Sequence, residues 1–297
     1  MAAGIARLAH RRGKRVLVCE MDDKGSLGAY LGREGVGFAP VEVEPGLFVM
    51  AMNTEDSLRE YLRLFVRVPV IGSLAPLARI FEFVANAAPA VKEILAIGKI
   101  CHEVREQSYD IIVVDAEATG HFVAQVSAPD ALMRVVRLGV IADQTAWMRE
   151  ILHDPSRTIA VAVTTPEELP VSETIDLRDR LRAATPVPIA AIVVNRINPA
   201  AHLAPDDAAT LARSSLVDDV AAVTGERESV RALVATLQIA TERAEHQRAS
   251  IADLRSGFPG DVVLAPVDEA PGESSATSLL VSTWIADELE RDGVHGI

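Results

Sequence analysis

The residues best suited to chemistry sit where short apolar runs end. One run leads into Glu20, Met21, Asp22, Asp23, Lys24, Gly25, Ser26, Leu27 and Gly28. Another leads into Asp115, Ala116, Glu117, Ala118, Thr119, Gly120 and His121. Asn195 and Arg196 close a third, and Pro266, Val267 and Asp268 a fourth. A carboxylate at the end of a buried strand can hold Mg2+ through water. A second carboxylate can orient an attacking water for phosphoryl transfer, and the paired donor and acceptor of an asparagine can read a base edge. Together they suit a magnesium–nucleotide site. Singly each has a plainer reading, and Asp115 is equally suited to cap a helix.

The elements that must position these residues are legible in the hydrophobic pattern. Strands are predicted at Arg15–Glu20, Leu47–Met52, Asp110–Asp115, Thr158–Thr164, Ile189–Asn195 and Val262–Pro266. Several, such as RVLVCE, DIIVVD and AAIVVN, are apolar on both faces, as in a parallel sheet covered by helices. Helical stretches lie between them and give repeated βαβ units. Ligands of such sheets bind beyond the carboxyl ends of the strands, where the acidic and amide residues fall.

The expected organisation is one α/β domain over residues 1–297, a mostly parallel sheet flanked by helices. A helical insertion occupies about 54–107. Within it, Ser57 to Val104 reads as two or three apolar-faced helices punctuated by Pro69, Gly72, Pro76 and Pro89. Two uses of this insertion stay open: covering the sheet, or presenting a surface to a partner or cargo. A second helical segment is expected at about 206–256, and Asp268–Thr277 reads as a polar loop before a final helix.

Composition narrows the classes. The formal net charge is −13, which disfavours nucleic acid as a general partner. The local basic group Arg11, Arg12, Lys14 and Arg15 reads as a solvated helix end. The two cysteines, Cys19 and Cys101, form no CxxC pair. The seven histidines show no HxxxH or HExxH spacing, and no GxSxG nucleophile elbow occurs. Val66 to Ile100 is interrupted by Arg67, Arg79, Glu82, Lys92 and Glu93, whereas a spanning helix needs roughly 20 nearly uncharged residues. No transmembrane segment and a cytoplasmic location are expected.

On these residues the chain resembles the ArsA-like anion-transporting ATPases, a family of the P-loop NTPase superfamily with a deviant Walker A motif. It is related to the ATPases that target tail-anchored membrane proteins. RRGKRVLVCEMDDKGSLGAYLG is similar to the segment after the family's P-loop helix. Asp22 falls on the switch I aspartate that positions the hydrolytic water. Ser26 and Leu27 also match, while Asp23, Lys24 and Gly25 replace Pro-Ala-His. VVDAEATGH resembles switch II through Asp115, Thr119, Gly120 and His121, with Ala116, Glu117 and Ala118 departing. TPEELPVSET and KEILAIGKICHEV resemble further family segments. Asn195 falls on the base-contacting asparagine, and Pro266 sits where a loop closes over the base.

The resemblance implies an ATPase using ATP and Mg2+, with Asp115 holding the metal through water. It also implies a helical subdomain moved by nucleotide state, a homo- or heterodimer with another ArsA-like ATPase, and an unidentified protein or small-molecule cargo. ParA-like and nitrogenase-reductase-like relatives fit less well, because of the long insertion and the Thr-Gly-His stretch. The family's Gly-Lys-Gly-Gly-x-Gly-Lys-Thr loop and the strand before it do not occur in these 297 residues, which open on MAAGIARLAHRRG. Either the chain is shortened or its start lies further upstream, or it is a degenerate, non-catalytic subunit that pairs with an intact ATPase. The family's zinc-binding CxxC and arsenite-binding cysteines are absent as well, which argues against arsenite transport and zinc-bridged dimers.

Overall fold

The structure, a computed structural model, describes residues 1–21, 26–61, 90–135, 140–198, 205–211, 213, 215–258, 263–268 and 278–291. The chain divides into two compact units. The first comprises Met1–Ala160, Leu177–Ile189 and Glu273–Ile297, and the second Val161–Asp176 and Ala190–Gly272.

The first unit is built on β1 (Val16–Glu20), the most apolar run of its region. Every residue of β1 is buried, Val16 to Cys19 completely, so the strand is covered on both faces. It lies between β3 (Leu47–Ala51) and β4 (Ile111–Asp115) and pairs in parallel with both. β2 (Val41–Glu44) adds an antiparallel edge to β3. Its Val-Glu-Val-Glu alternation is the pattern of a strand with one wet face, a short signal absent from the predicted strands. The predicted strand limits otherwise agree to within one or two residues.

Helix α1 (Ala2–Arg11) packs on this sheet, with Ala2 to Ala9 all buried. It also packs against the last helix, α11 (Ser278–Arg291). Gly4 allows the approach: a Cβ there would stand 2.3 Å from Ile285 Cγ2. Arg7 ties the layer together. Its Nε donates to Ser282 Oγ at 2.9 Å and its Nη1 to Glu44 Oε1 at 2.7 Å. Ser282 Oγ in turn donates to the Tyr30 carbonyl at 2.6 Å.

Within the predicted helical insertion the structure describes α3 (Thr54–Tyr61) and α4 (Ala90–Glu106); residues 62–89 lie outside the described residues. Buried Lys99 of α4 bridges them, 3.0 Å from Glu60 Oε1 and 2.7 Å from Glu103 Oε1. Its two carboxylate partners hold its pKa above the ordinary lysine value although burial alone would lower it. α4 packs against α5 (Thr119–Val135), and α5 against α6 (Val140–Leu152).

The second unit carries the three-stranded sheet β5 (Ala160–Thr164), β6 (Ile189–Ile197) and β7 (Val263–Asp268), in that order, with β6 and β7 parallel. α7 (Glu168–Ala184) follows β5. α8 (Pro205–Leu211), α9 (Leu216–Thr224) and the 31-residue α10 (Arg227–Gly257) fill the predicted second helical segment. α9 ends on Gly225 in the left-handed conformation. No helix among the described residues is long and apolar enough to cross a membrane.

Gly4→Ala tests the α1–α11 contact. In an open helix this change stabilises by about 1 kcal/mol. Against Ile285 the sign should reverse, to a loss of about 1–3 kcal/mol by overpacking, read as a lower urea midpoint. An unchanged or raised midpoint would show that the two helices are not in this contact.

Candidate nucleotide site

The parallel registers bring the carboxyl ends of three strands level. Glu20 stands opposite Asp115 on one side and Ala51 on the other. The Met21 amide donates to the Asp115 carbonyl at 3.1 Å, and the Met52 amide to the Glu20 carbonyl at 2.7 Å. α1 ends at Arg11 and turns through Gly13, in the left-handed conformation, into Val16. It therefore runs antiparallel to β1. Ten helical residues cover about 15 Å and five strand residues about 17 Å, so the start of α1 returns to the level of Glu20 and Asp115. Partial positive charge gathers at a helix start, which is why such ends receive anions.

The electrostatics agree with this placement. Asp115 is open to solvent on one side, but surrounding protein raises its carboxyl above the ordinary range. The Met1 ammonium opposes that shift and the Glu20 carboxylate adds to it. No described side chain donates a hydrogen bond to Asp115. An accessible, hard oxygen ligand of this kind fits Mg2+, which keeps several waters and takes only one or two carboxylates.

Glu20 is committed elsewhere. It is 3% exposed, and its Oε1 accepts from the Ser26 amide at 3.0 Å, the Ser26 hydroxyl at 2.8 Å and the Leu27 amide at 3.3 Å. It thus caps α2 (Ser26–Tyr30) and fixes the two residues that match the family pattern after switch I. Sequence reasoning named Glu20 at a strand end but gave it no role; its signal was a carboxylate at the end of a fully apolar strand. Asp22 lies outside the described residues.

Thr119, Gly120 and His121 are exposed in the first turn of α5. The His121 and Phe122 amides donate to the Ala118 carbonyl. Glu117, one of the departures from the family pattern, organises this turn. Its Oε2 lies 2.6 Å from His121 Nδ1, and its Oε1 accepts from Gln125 Nε2 at 3.2 Å. A Cβ on Gly120 would stand 3.8 Å from Arg180 Nη2. Asp115, Thr119, Gly120 and His121 therefore share one strand end and the helix start that follows it.

Asn195 and Pro266 are adjacent in the second unit. β6 pairs Val194 with Pro266, then Ile197 with Asp268, so Asn195 and Arg196 together face Val267 in a bulge. Pro266 has no amide proton to donate, which β7, at the edge of its sheet among the described residues, tolerates. Arg196 adopts φ 60°, a left-handed conformation costing about 1–2 kcal/mol in a residue with a Cβ. Gln247 of α10 hydrogen-bonds the backbone on both sides of Ile197. Its Nε2 donates to the Arg196 carbonyl at 3.3 Å, and its Oε1 accepts from the Asn198 amide at 2.8 Å. Gln247 is 2% exposed and gave no signal in sequence, being one amide in a long mixed-charge helix.

Both cysteines are core residues. Burial pushes both thiols up, Cys101 to about 12, so neither offers a thiolate. Among the described residues no group of three His, Cys, Asp or Glu side chains is placed to hold a metal ion.

A mostly parallel sheet flanked by helices, with acidic strand ends beside a helix start, places the chain among the P-loop NTPase-like α/β proteins. Residues 1–145, just under half of the chain, match the anion-transporting ATPase family, and over those residues the chain resembles the ArsA-like ATPases. It is 26% identical over 316 residues to ATPase BagA of Mycobacterium tuberculosis (strain ATCC 25618 / H37Rv), spanning 99% of this chain and 89% of that protein. It is 30% identical over 138 residues to uncharacterized protein SCO2128 of Streptomyces coelicolor, which covers 46% of this chain and 35% of that one. These likenesses support an ATPase function in general terms.

Because the folded-state pKa of Asp115 is raised, its protonated form contributes stability that is complete below the ordinary aspartate range and lost as pH rises through the raised value. Asp115→Asn should therefore raise the melting temperature at about pH 7 and change it little at about pH 3. An equal change at both pH values would remove charge as the cause.

Proposed function

We propose that this chain acts as an ATP-hydrolysing ArsA-like ATPase, using Mg2+ and coupling nucleotide state to movement of the helical insertion at about 54–107. The observation that carries this reading is the start of α1 lying level with Asp115 at the carboxyl ends of β1 and β4. A triphosphate there would meet the positive end of a helix and a carboxylate able to hold hydrated Mg2+. Mg2+ would supply charge neutralisation for phosphoryl transfer. Asp22, two residues beyond Glu20, would orient the attacking water. Asn195 would contact the base edge beneath Pro266. The domain is read as one ATPase unit over residues 1–297.

Coupling has a contiguous route within the first unit. Thr119, Gly120 and His121 open α5, α5 packs on α4, and α4 holds α3 through Lys99. A shift of the first turn of α5, set by the γ-phosphate, would reach the insertion through these helices. The protein would work in the cytoplasm as a homodimer, or as a heterodimer with a related ATPase, and pass the movement to a protein or small-molecule cargo.

The test is Mg2+-ATP binding by calorimetry together with phosphate release. Asp22→Asn should abolish turnover and leave binding within about threefold, since it acts on the water and not on the phosphates. Wild-type turnover in that variant would remove Asp22 from the mechanism. A chain that binds no ATP alone, but stimulates an intact relative, would establish the alternative of a non-catalytic partner subunit.

A further inference from the structure

We propose that Lys99 is a release latch for α3: it holds the second turn of that helix through Glu60, and Glu103 keeps the lysine paired when the turn lets go. The proposal concerns the entry to the helical insertion and stands whether or not the chain hydrolyses ATP. Lys99 is 8% exposed, and its ammonium lies 5.1 Å from the centre of the Phe38 ring. It meets two carboxylates on different elements, Glu60 of α3 at 3.0 Å and Glu103 of its own helix at 2.7 Å. A buried ammonium stripped of all its partners is costly. Here loss of Glu60 leaves Lys99 with Glu103, on the next turn of the same helix, so α3 can withdraw without orphaning the charge. The trio also holds two carboxylates and one ammonium. The carboxylates repel each other and compete for the same cation, so each weakens the hold of the other.

The two helices differ in what else holds them. α4 buries Ile94, Leu95, Ile97, Ile100 and Cys101 along its 17 residues. α3 has eight residues and, among its described side chains, buries Ser57 and Leu58 alone. A helix that short is marginal without tertiary support, and segments with few buried apolar contacts open first. Glu60 is also the more accessible carboxylate, its side chain 25% exposed against 13% for Glu103, so water can replace Lys99 there more readily. The start of α3 is fixed separately. Asn53 Oδ1 accepts from the Glu55 amide at 2.8 Å and the Asp56 amide at 3.2 Å. Next to it, the Met52 amide is bonded to the Glu20 carbonyl. The capped first turn therefore stays with the sheet, and the pair with Lys99 decides the position of the turn that carries Glu60.

The experiment is hydrogen exchange on the full chain, comparing the Leu58–Glu60 amides of α3 with the Ile97–Cys101 amides of α4. Glu60→Gln keeps the side-chain shape and weakens the hold on α3, so the α3 amides should exchange about fivefold faster. Glu103→Gln removes the competing charge and leaves Glu60 as the remaining carboxylate partner. The same amides should then exchange about fivefold slower, because opening now strips Lys99 of its counter-charge. In both variants α4 should keep its rates. In a Lys99→Met background Glu60→Gln should no longer speed exchange, since Glu60 acts through Lys99. An ion cluster that only braces the fold gives faster exchange in both glutamine variants, and that outcome overturns the proposal. So does an α3 rate that Glu60→Gln fails to raise or Glu103→Gln fails to lower. Rates in α4 that change in step with α3 report unfolding of the whole unit and overturn it too, as does a Glu60→Gln effect that persists without Lys99. If Lys99→Met does not fold, the opposite signs of the two glutamine variants decide the proposal alone.

Discussion

Parallel pairing of β1 with strands on both sides is the constraint from which the first unit follows. A strand hydrogen-bonded along both edges and covered on both faces has no freedom of register: a one-residue slip would turn Leu17 and Cys19 to the side now filled by Val16 and Val18. The register places Glu20 and Asp115 side by side at the carboxyl end. Two carboxylates so close repel when both are ionised, and the arrangement resolves this by giving them different surroundings. Glu20 is enclosed by hydrogen-bond donors from the next helix. Asp115 is left facing solvent with a carboxyl that is harder to ionise. One is structural and one is available for chemistry.

The second unit achieves the same end by other means. Its sheet shifts register at Asn195 and Arg196, and an amide from a distant helix hydrogen-bonds the backbone there. In the first unit local sequence builds the strand end; in the second the partner lies about fifty positions away along the chain, and no local pattern records it.

This difference explains what was legible in the sequence. Runs such as VLVC and IIVV declare buried parallel strands because they lack polar residues altogether, and the class of fold follows from their alternation with helices. The four-residue edge strand Val41–Glu44 carried only two apolar positions and escaped notice. Asp115, Asn195 and the Thr119–His121 stretch could be named because they follow such runs. Glu117 and Gln247 could not be given roles, since their partners are set by packing: Glu117 by the first turn of α5, and Gln247 by a bulge that exists only once β6 has paired with β7. The role of Asp22 came from resemblance and not from the hydrophobic pattern.

The contact between Gly4 and Ile285, and the bond from Arg7 to Ser282 across 275 positions, bear on how the protein is made. Ribosomes add about 5–20 residues per second, so the apolar first helix waits roughly 15–55 s for the helix that covers it. During that interval its Ala-, Ile- and Leu-lined face has no native shelter on the far side. The nascent chain therefore carries an unprotected surface from the time Ala2–Arg11 is made until Ser278–Arg291 emerges, and its yield depends on what shields that surface in between.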